Sequence, residues 1–138
     1  MTPAIAQRVR FSVPPGRLFQ IYLDSKQHTA ATGAKAVVSA RVGSRFSAFD
    51  GVITGTILAI VRNRLIVQSW RSRHWKKTDL DSILVLQFSK IKDGTRVDLV
   101  HVNVPEHDHD GVSQGWEKYY WTPWRAYLEQ RAGRAGAR

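Results

Sequence analysis

The chain has 138 residues and a formal net charge of +10, and it contains no cysteine. This length suits one domain, and the lack of cysteine excludes disulfides, thiolate zinc sites and cysteine nucleophiles. Because the 21 Lys and Arg residues are mostly scattered, their charge indicates a solvated surface, and we predict no nucleic-acid or membrane partner. No apolar run approaches the ~20 residues of a spanning helix and no signal-peptide pattern is present, so we expect a cytoplasmic protein.

Turn sequences divide the middle of the chain into short strands. Asp50-Gly51, Asn63 and Asp93-Gly94 each separate two apolar or alternating runs, and these residues tolerate the positive φ angles of tight hairpins. The pattern predicts about seven strands in a mostly antiparallel meander. They are expected near residues 8–13, 35–39, 44–49, 52–61, 65–70, 82–92 and 95–104.

Two short helices are predicted after the first strand. Pro14-Pro15 stops that strand, and residues 16–23 can place an apolar face on one side of a helix. Asp24 or Ser25 is expected to cap a second helix, which should end at Gly33 because glycine readily adopts the left-handed conformation.

The last predicted element is a long amphipathic helix at residues 111–130, where aromatic residues recur at three- and four-residue spacing. Pro123 lies inside it and is expected to kink or break the helix near Thr122. Residues 1–130 should form a single domain, and residues 131–138 should form a flexible basic tail.

This order of elements predicts the fold class. A sheet with one apolar face needs a cover, and the last helix is the only sizeable candidate. We therefore expect an α+β protein, with a curved antiparallel sheet around a long C-terminal helix and two short helices after the first strand. Where the twisted sheet and the helix separate, a cavity can form between them.

Several patches along the chain together resemble one family. In chain order they are Gly43-Ser-Arg-Phe46, Phe49-Asp-Gly51, Ile53-Thr-Gly55, residues 66–71, Ser82, Val104-Pro105, Gly115-Trp116, Tyr119-Tyr-Trp121 and Tyr127-Leu128. The series, which covers roughly residues 6–130, resembles proteins similar to the C-terminal domain of the activator of heat-shock protein 90 ATPase. These proteins belong to the START-like, or SRPBCC, superfamily, so the resemblance implies the helix-grip fold.

The resemblance implies several functions, because the superfamily includes ligand carriers, polyketide cyclases and co-chaperone domains. Our first expectation is non-catalytic binding of a small hydrophobic or amphipathic ligand. One alternative is a chaperone-associated interaction module, although the N-terminal domain of the eukaryotic co-chaperone has no counterpart in this sequence. The other is a polyketide-cyclase-like enzyme, for which His101 with Tyr120 is the only polar pair that we nominate.

Strand parity and the aromatic stripe predict which residues line the cavity. Trp116, Tyr120 and Trp124 are spaced by four residues and should face the sheet, whereas Trp121 should point elsewhere or enter a homodimer contact. The alternative is that these rings fill the space as ordinary core. The full set of expected lining residues is Phe46, Trp70, Leu84, Leu86, Phe88, Leu99, His101, Trp116, Tyr120 and Trp124.

Two further segments carry weaker signals. His107, Asp108, His109 and Asp110 offer metal-ligand chemistry, but a His-x-His pair without a distant third ligand predicts no metal or other cofactor. Residues 70–77 mix cations with two tryptophans, as single-strand nucleic-acid binders do, or as an electropositive mouth for an anionic ligand would. We expect a monomer or a homodimer.

Overall fold

The structure is a computed structural model that describes residues 2–136. In this range the chain forms six strands and four α-helices. They are β1 (Ile5–Phe11), α1 (Pro15–Leu23), α2 (Ser25–Thr32), β2 (Arg45–Ala48), β3 (Ile53–Val61), β4 (Leu65–Ser72), β5 (Ser82–Ile91), β6 (Gly94–Val102), α3 (His109–Trp116) and α4 (Thr122–Gly136). A π-helical turn, Glu117–Trp121, joins α3 to α4, and residues 109–136 are called the C-terminal helix below.

The six strands form one antiparallel sheet in the order β1-β6-β5-β4-β3-β2. The C-terminal helix covers the inner face, and α1 and α2 close one side of the core. This arrangement confirms the predicted α+β helix-grip fold. None of the helices in residues 2–136 is long and apolar enough to cross a membrane.

Local sequence signals account for the boundaries of the short elements. The Asp24 carboxylate accepts a hydrogen bond from the backbone N–H of Gln27 at the start of α2, and Gly33 ends that helix with φ of 82°. Asn63 and Asp93 lie at hairpin turns with φ of 62° and 68°. The predicted caps and turns are therefore confirmed.

The segment expected to form a seventh strand, residues 35–39, makes only one bridge to the sheet, between Val37 and Ser47. The backbone groups of Ala36 and Val38 are bound by side chains of α2. Ser25 Oγ accepts from the N–H of Val38 at 2.8 Å, and Thr29 Oγ1 accepts from the N–H of Ala36 at 2.9 Å. Because these groups already have partners, no further ladder forms.

The C-terminal helix accommodates Pro123 through the π-helical turn. Proline has no N–H and clashes with the preceding turn of a regular helix. Here the N–H of Thr122 donates to the carbonyl of Glu117, five residues earlier, and the helix continues without a break. It extends to Gly136, so residues 131–136, expected as a flexible tail, are helical, and residues 137–138 lie outside the described range.

The π-turn also corrects the expectation for Trp121. Since a π-turn contains about five residues, it brings Trp121 onto the same face as Trp116. The two rings stack with centroids 5.8 Å apart, and only 1% of Trp121 is exposed. Its indole N–H donates to Gln7 Oε1 on β1 at 2.9 Å. Trp121 therefore belongs to the core of its own chain and is not available for a homodimer contact.

Candidate functional site

A cleft of about 400 Å³ opens between α3 and the ends of β3 and β4. It lies where the C-terminal helix and the twisted sheet diverge. Five aromatic residues, three aliphatic residues and two glycines account for most of its lining. These are Phe49, Trp70, Trp116, Tyr119, Tyr120, Val52, Ile53, Val112, Gly111 and Gly115, with Ser72, His74 and Asp108 as the polar members.

Three of the expected lining residues, Trp70, Trp116 and Tyr120, line this cleft. The others are buried deeper between the helices and the sheet, where they pack against one another as core. They are Phe46, Leu84, Leu86, Phe88, Leu99, His101 and Trp124. The cleft is therefore smaller than a cavity running the length of the helix, and bulky rings fill the remaining space.

His101 lies behind the cleft in a directed chain of hydrogen bonds. The indole N–H of Trp116 can only donate, so His101 Nδ1, at 3.2 Å, is the acceptor. The ring proton is then on Nε2, which donates to Ser82 Oγ at 2.8 Å. The Ser82 hydroxyl donates in turn to the carbonyl of Trp70 at 2.6 Å. Both ring nitrogens are thereby occupied.

Burial lowers the pKa of His101 from 6.5 to about 3, and the nearby His109 acts in the same direction. The ring is neutral at physiological pH and has no free lone pair with which to accept a proton. The partners of its two nitrogens are Ser82 and Trp116, and the Tyr120 hydroxyl binds His28. The Trp116 ring packs against both residues, with its centroid 5.8 Å from that of His101 and 4.7 Å from that of Tyr120. The nominated polar pair is therefore not assembled in this structure.

Tyr120 is bound instead to α2. His28 Nδ1–H donates to the carbonyl of Tyr22 at 2.8 Å, so His28 Nε2 accepts from the Tyr120 hydroxyl at 3.0 Å. Burial lowers the pKa of His28 and raises the pKa of both Tyr22 and Tyr120. All three side chains are neutral at physiological pH. With its hydroxyl held by His28, Tyr120 contributes mainly its ring to the cleft.

Two buried side chains in the same core have polar atoms without a hydrogen-bond partner in the described residues. Both atoms of the Gln68 side-chain amide and the indole N–H of Trp124 lack a partner, and both side chains are fully buried. The Gln68 amide lies near the Tyr22 hydroxyl and offsets part of the rise that burial causes in the pKa of Tyr22. The two groups do not meet in good hydrogen-bond geometry. Trp124 was expected to line the cavity, whereas Gln68 was not predicted as part of any site.

The mouth of the cleft carries little charge. Apart from the tyrosines, His74 and Asp108 are the ionisable residues that line it, and no Lys or Arg does. Asp108 accepts a hydrogen bond of 2.7 Å from the indole N–H of Trp75. The lining of the cleft thus does not form the electropositive mouth considered for an anionic ligand.

The two histidines of residues 105–111 also have protein partners. His107 pairs with Asp79 at 2.8 Å, and this contact lowers the pKa of Asp79. His109 Nε2–H donates to the carbonyl of Pro3 at 2.9 Å. These side chains tie the loop to its neighbours rather than converging on one point.

The mixed basic and aromatic segment has a structural role. Trp70 and Trp75 are buried, and their ring centroids lie 5.6 Å apart, so they do not form an exposed surface on which successive bases could stack. The Arg71 guanidinium donates to the carbonyls of Lys76 and Asp79, at 2.5 and 2.6 Å. These bonds hold the loop between β4 and β5 closed beside the cleft.

Phe49 is a lining residue that sequence patterns did not predict. It packs edge-on against Tyr119 and Tyr120, with centroids 5.7 and 5.4 Å away. Its φ is 52°, in the left-handed region that bulky residues seldom adopt. The adjacent Asp50-Gly51 indicates the turn, but the direction in which the turn aims the ring depends on the packing of the C-terminal helix.

The fold and the site thus define a class of protein: a helix-grip domain with an aromatic cleft between the C-terminal helix and the sheet. Residues 12–129 match the family described as activator of Hsp90 ATPase homolog 1-like protein, and the chain belongs to this family. The resemblance read from the sequence is therefore confirmed.

Individual relatives agree with this assignment. The human activator of 90 kDa heat shock protein ATPase homolog 1 is 26% identical over 119 residues, which are 86% of this chain and 35% of the human protein. The chain thus spans about a third of the length of the curated relatives that it matches.

Solved structures show the same fold. The crystal structure of PFC0360w, an HSP90 activator from Plasmodium falciparum, has a TM-score of 0.83 and 26% identity, covering 93% of this chain and 97% of that one. Protein MLL2253 from Mesorhizobium loti has a TM-score of 0.81 at 18% identity, covering 93% of this chain and 98% of that one, and shows the fold alone.

Proposed function

We propose that this protein binds a small, flat, uncharged hydrophobic molecule in the cleft, without catalysis. The observation that carries the proposal is the ring of five aromatic side chains around a space of about 400 Å³. Small-molecule sites usually measure about 300–1,000 Å³ and are mostly apolar, with a few polar groups. Aromatic walls favour planar ligands because offset and edge-on ring contacts add to the hydrophobic term.

The ionisation of the surrounding groups supports an uncharged ligand. His101, His28 and the buried tyrosines are neutral at physiological pH. An ionic group placed deep in the cleft would therefore meet no opposite charge to offset its desolvation. Ser72, His74 and Asp108 are the polar residues of the lining, and they can bind a polar end of an amphipathic ligand.

The test is a fluorescence titration with N-phenyl-1-naphthylamine, a neutral aromatic probe. Gly115 lines the cleft, and a Cβ at this position would meet only Tyr119 carbons at 3.5 Å or more. Gly115→Leu should fill the cleft and weaken probe binding at least about tenfold, whereas Gly115→Ala should bind nearly as wild type. Equal binding by both variants, or no binding by the wild type, would refute the proposal.

Native mass spectrometry of the freshly purified protein complements this test. A reproducible excess mass that disappears on denaturation would report a ligand carried from the cell and give its molecular weight. Addition of that molecule should then raise the unfolding temperature by mass action.

Chaperone association is the second candidate function, and membership of the family supports it. The P. falciparum chain described as an HSP90 activator is covered to 97% by this chain, so a relative of this length bears that description. The test is the ATPase rate of a heat-shock protein 90 with and without the purified protein. A concentration-dependent increase would support this function, and an unchanged rate together with an absence of complex formation would exclude it.

A further inference from the structure

The outer face of the sheet, opposite the C-terminal helix, carries a continuous row of apolar side chains across five strands. Its members are direct cross-strand neighbours: Ala6, Val100, Val85, Val67 and Ala59. With strands about 4.8 Å apart, this apolar row is about 19 Å long. Val102 and Ile83, also cross-strand neighbours, widen it on one side. Val100 and Val102 are exposed, and the other valines are half-buried.

A β-bulge extends the apolar row at one end. The register of β3 against β4 shifts between Ile57 and Ala59. Ile57 is buried on the inner face, whereas Ala59 pairs with the outward-facing Val67, so the inserted Leu58 is also turned outward. Leu58 is 45% exposed. A bulge that places a large apolar residue in solvent is more easily explained by a contact surface than by folding.

The charged side chains around this row are nearly all arginines. The ionisable residues at outward-facing positions of the six strands are Arg8, Arg10, Arg45, Arg71, Arg96 and Asp98. The single aspartate pairs with Arg8 at 2.8 Å and with Arg96 at 3.0 Å. Arg71 pairs with Asp81, which precedes β5, at 3.1 Å. Five arginines against these two carboxylates leave the face positive. Arginine is enriched and lysine depleted in protein–protein interfaces.

We propose that this face binds an acidic, amphipathic segment of a partner protein. The apolar row requires an apolar stripe on the partner, and the flanking arginines require carboxylates beside that stripe. An α-helix of about 13 residues has the same length as the row and can present both features. The surface shares no residue with the cleft, so the proposal is independent of ligand binding.

The same observations disfavour other occupants. A second copy of this face would bring arginines against arginines, which is repulsive. A nucleic acid would complement the arginines but would leave the valines against a charged backbone. Side chains that anchor proteins at a bilayer are typically Trp, Phe and Leu with Lys or Arg, and no aromatic residue lies in the row.

The experiment starts from a library of random peptides of about 15 residues, a helix length that spans the row. The library is selected on the wild-type protein, and enriched peptides are then measured by fluorescence anisotropy. The enriched peptides should be acidic, with apolar residues at three- and four-residue spacing. Val85→Thr/Val100→Thr keeps side-chain shape and strand propensity, and should weaken their binding at least about tenfold. Val42→Thr, at an exposed position outside the row, should not.

Charge is tested separately with Arg10→Gln/Arg45→Gln, which should weaken peptide binding and reduce its dependence on salt. Thermal unfolding serves as the folding control, and every variant should keep a cooperative transition close to that of the wild type. Enrichment of neutral or basic peptides, or equal binding by the double valine variant, would overturn the proposal. So would valine-dependent binding of phosphatidylserine vesicles or of a single-stranded oligonucleotide in place of the acidic peptides.

Discussion

The indole of Trp116 donates a hydrogen bond of 3.2 Å to the imidazole of His101, and this bond joins the C-terminal helix to β6. It selects the tautomer of His101 and thereby directs the next two hydrogen bonds, through Ser82 to the carbonyl of Trp70. Trp70 and Trp116 are both walls of the cleft. The buried histidine therefore positions two walls of the candidate site without entering it.

The contribution of the hydrogen bond to His101 should appear as a difference in stability between two tryptophan-to-phenylalanine variants. Trp116→Phe removes the N–H that His101 accepts, whereas Trp124→Phe removes an N–H without a partner. We expect Trp116→Phe to cost about 1–3 kcal/mol more than Trp124→Phe in the free energy of unfolding, because it leaves a buried acceptor unsatisfied. Urea denaturation of both variants measures the difference. Equal losses would show that the bond contributes little.

Stability should fall as the pH falls below about 6.5. The pKa of His101 is about 3 in the folded protein and 6.5 as the ordinary value, so between these limits the unfolded chain binds more protons. Because of His101, each unit by which the pH falls in this window should lower the free energy of unfolding by about 1.4 kcal/mol. The lowered pKa of His28 acts in the same direction.

The measurement is urea denaturation at several values between pH 7 and pH 4. His101→Gln removes the titrating group and should flatten the pH dependence, although it also lowers stability at neutral pH. His74→Gln, at an exposed histidine, is the control for the histidine-to-glutamine change itself. An unchanged slope in His101→Gln would mean that other groups dominate the acid sensitivity.

Gln68→Leu should stabilise the protein. The side-chain amide is fully buried, and neither of its polar atoms has a partner, so an apolar residue of similar size avoids its desolvation cost. We expect a gain of about 1–3 kcal/mol in the free energy of unfolding. Gln87→Leu, on the exposed side of the same sheet, should change it by less than about 0.5 kcal/mol. A clear loss in Gln68→Leu would indicate that an internal water satisfies the amide.

Gly55→Ala should be strongly destabilising. A Cβ at this position would collide with the backbone carbonyl of Ser69 and with the ring of Phe46. Because one of these atoms is backbone, the strands must separate, and we expect a loss of at least about 1–3 kcal/mol. Gly115→Ala is the matched control, since its Cβ has ordinary contacts and alanine favours the helix. Thermal unfolding of the two variants should show shifts of opposite sign or very different size.

Much of the fold was predictable because its signals are local. Asp24, Gly33, Asn63 and Asp93 act through the backbone angles and caps of their own turns, so their roles can be read from neighbouring residues. The failure of residues 35–39 to form a seventh strand was not predictable in this way. Val37 and Val38 have strand character, but hydrogen bonds from α2 side chains occupy the segment, and those contacts depend on tertiary packing.

The site was predictable only in part, for the same reason. Trp116 and Tyr120 face the sheet by helical period, and both line the cleft. Leu84, Leu86 and Phe88 face inward by strand parity but lie in solid core, because parity identifies a face and not the place where two surfaces separate. That place depends on the twist of the sheet and the path of the helix.

The amino-acid sequence by itself determined the order of most elements, the inward faces of β5 and β6, and the family. These properties follow from periodicity, caps and turn residues, whose energetics involve only a few neighbouring residues. The tertiary structure alone decided that Trp121 enters the core, that His101 is fixed as one neutral tautomer and that Phe49 reaches the cleft. Each of these depends on contacts between distant segments, and their geometry is established only when the C-terminal helix packs on the sheet.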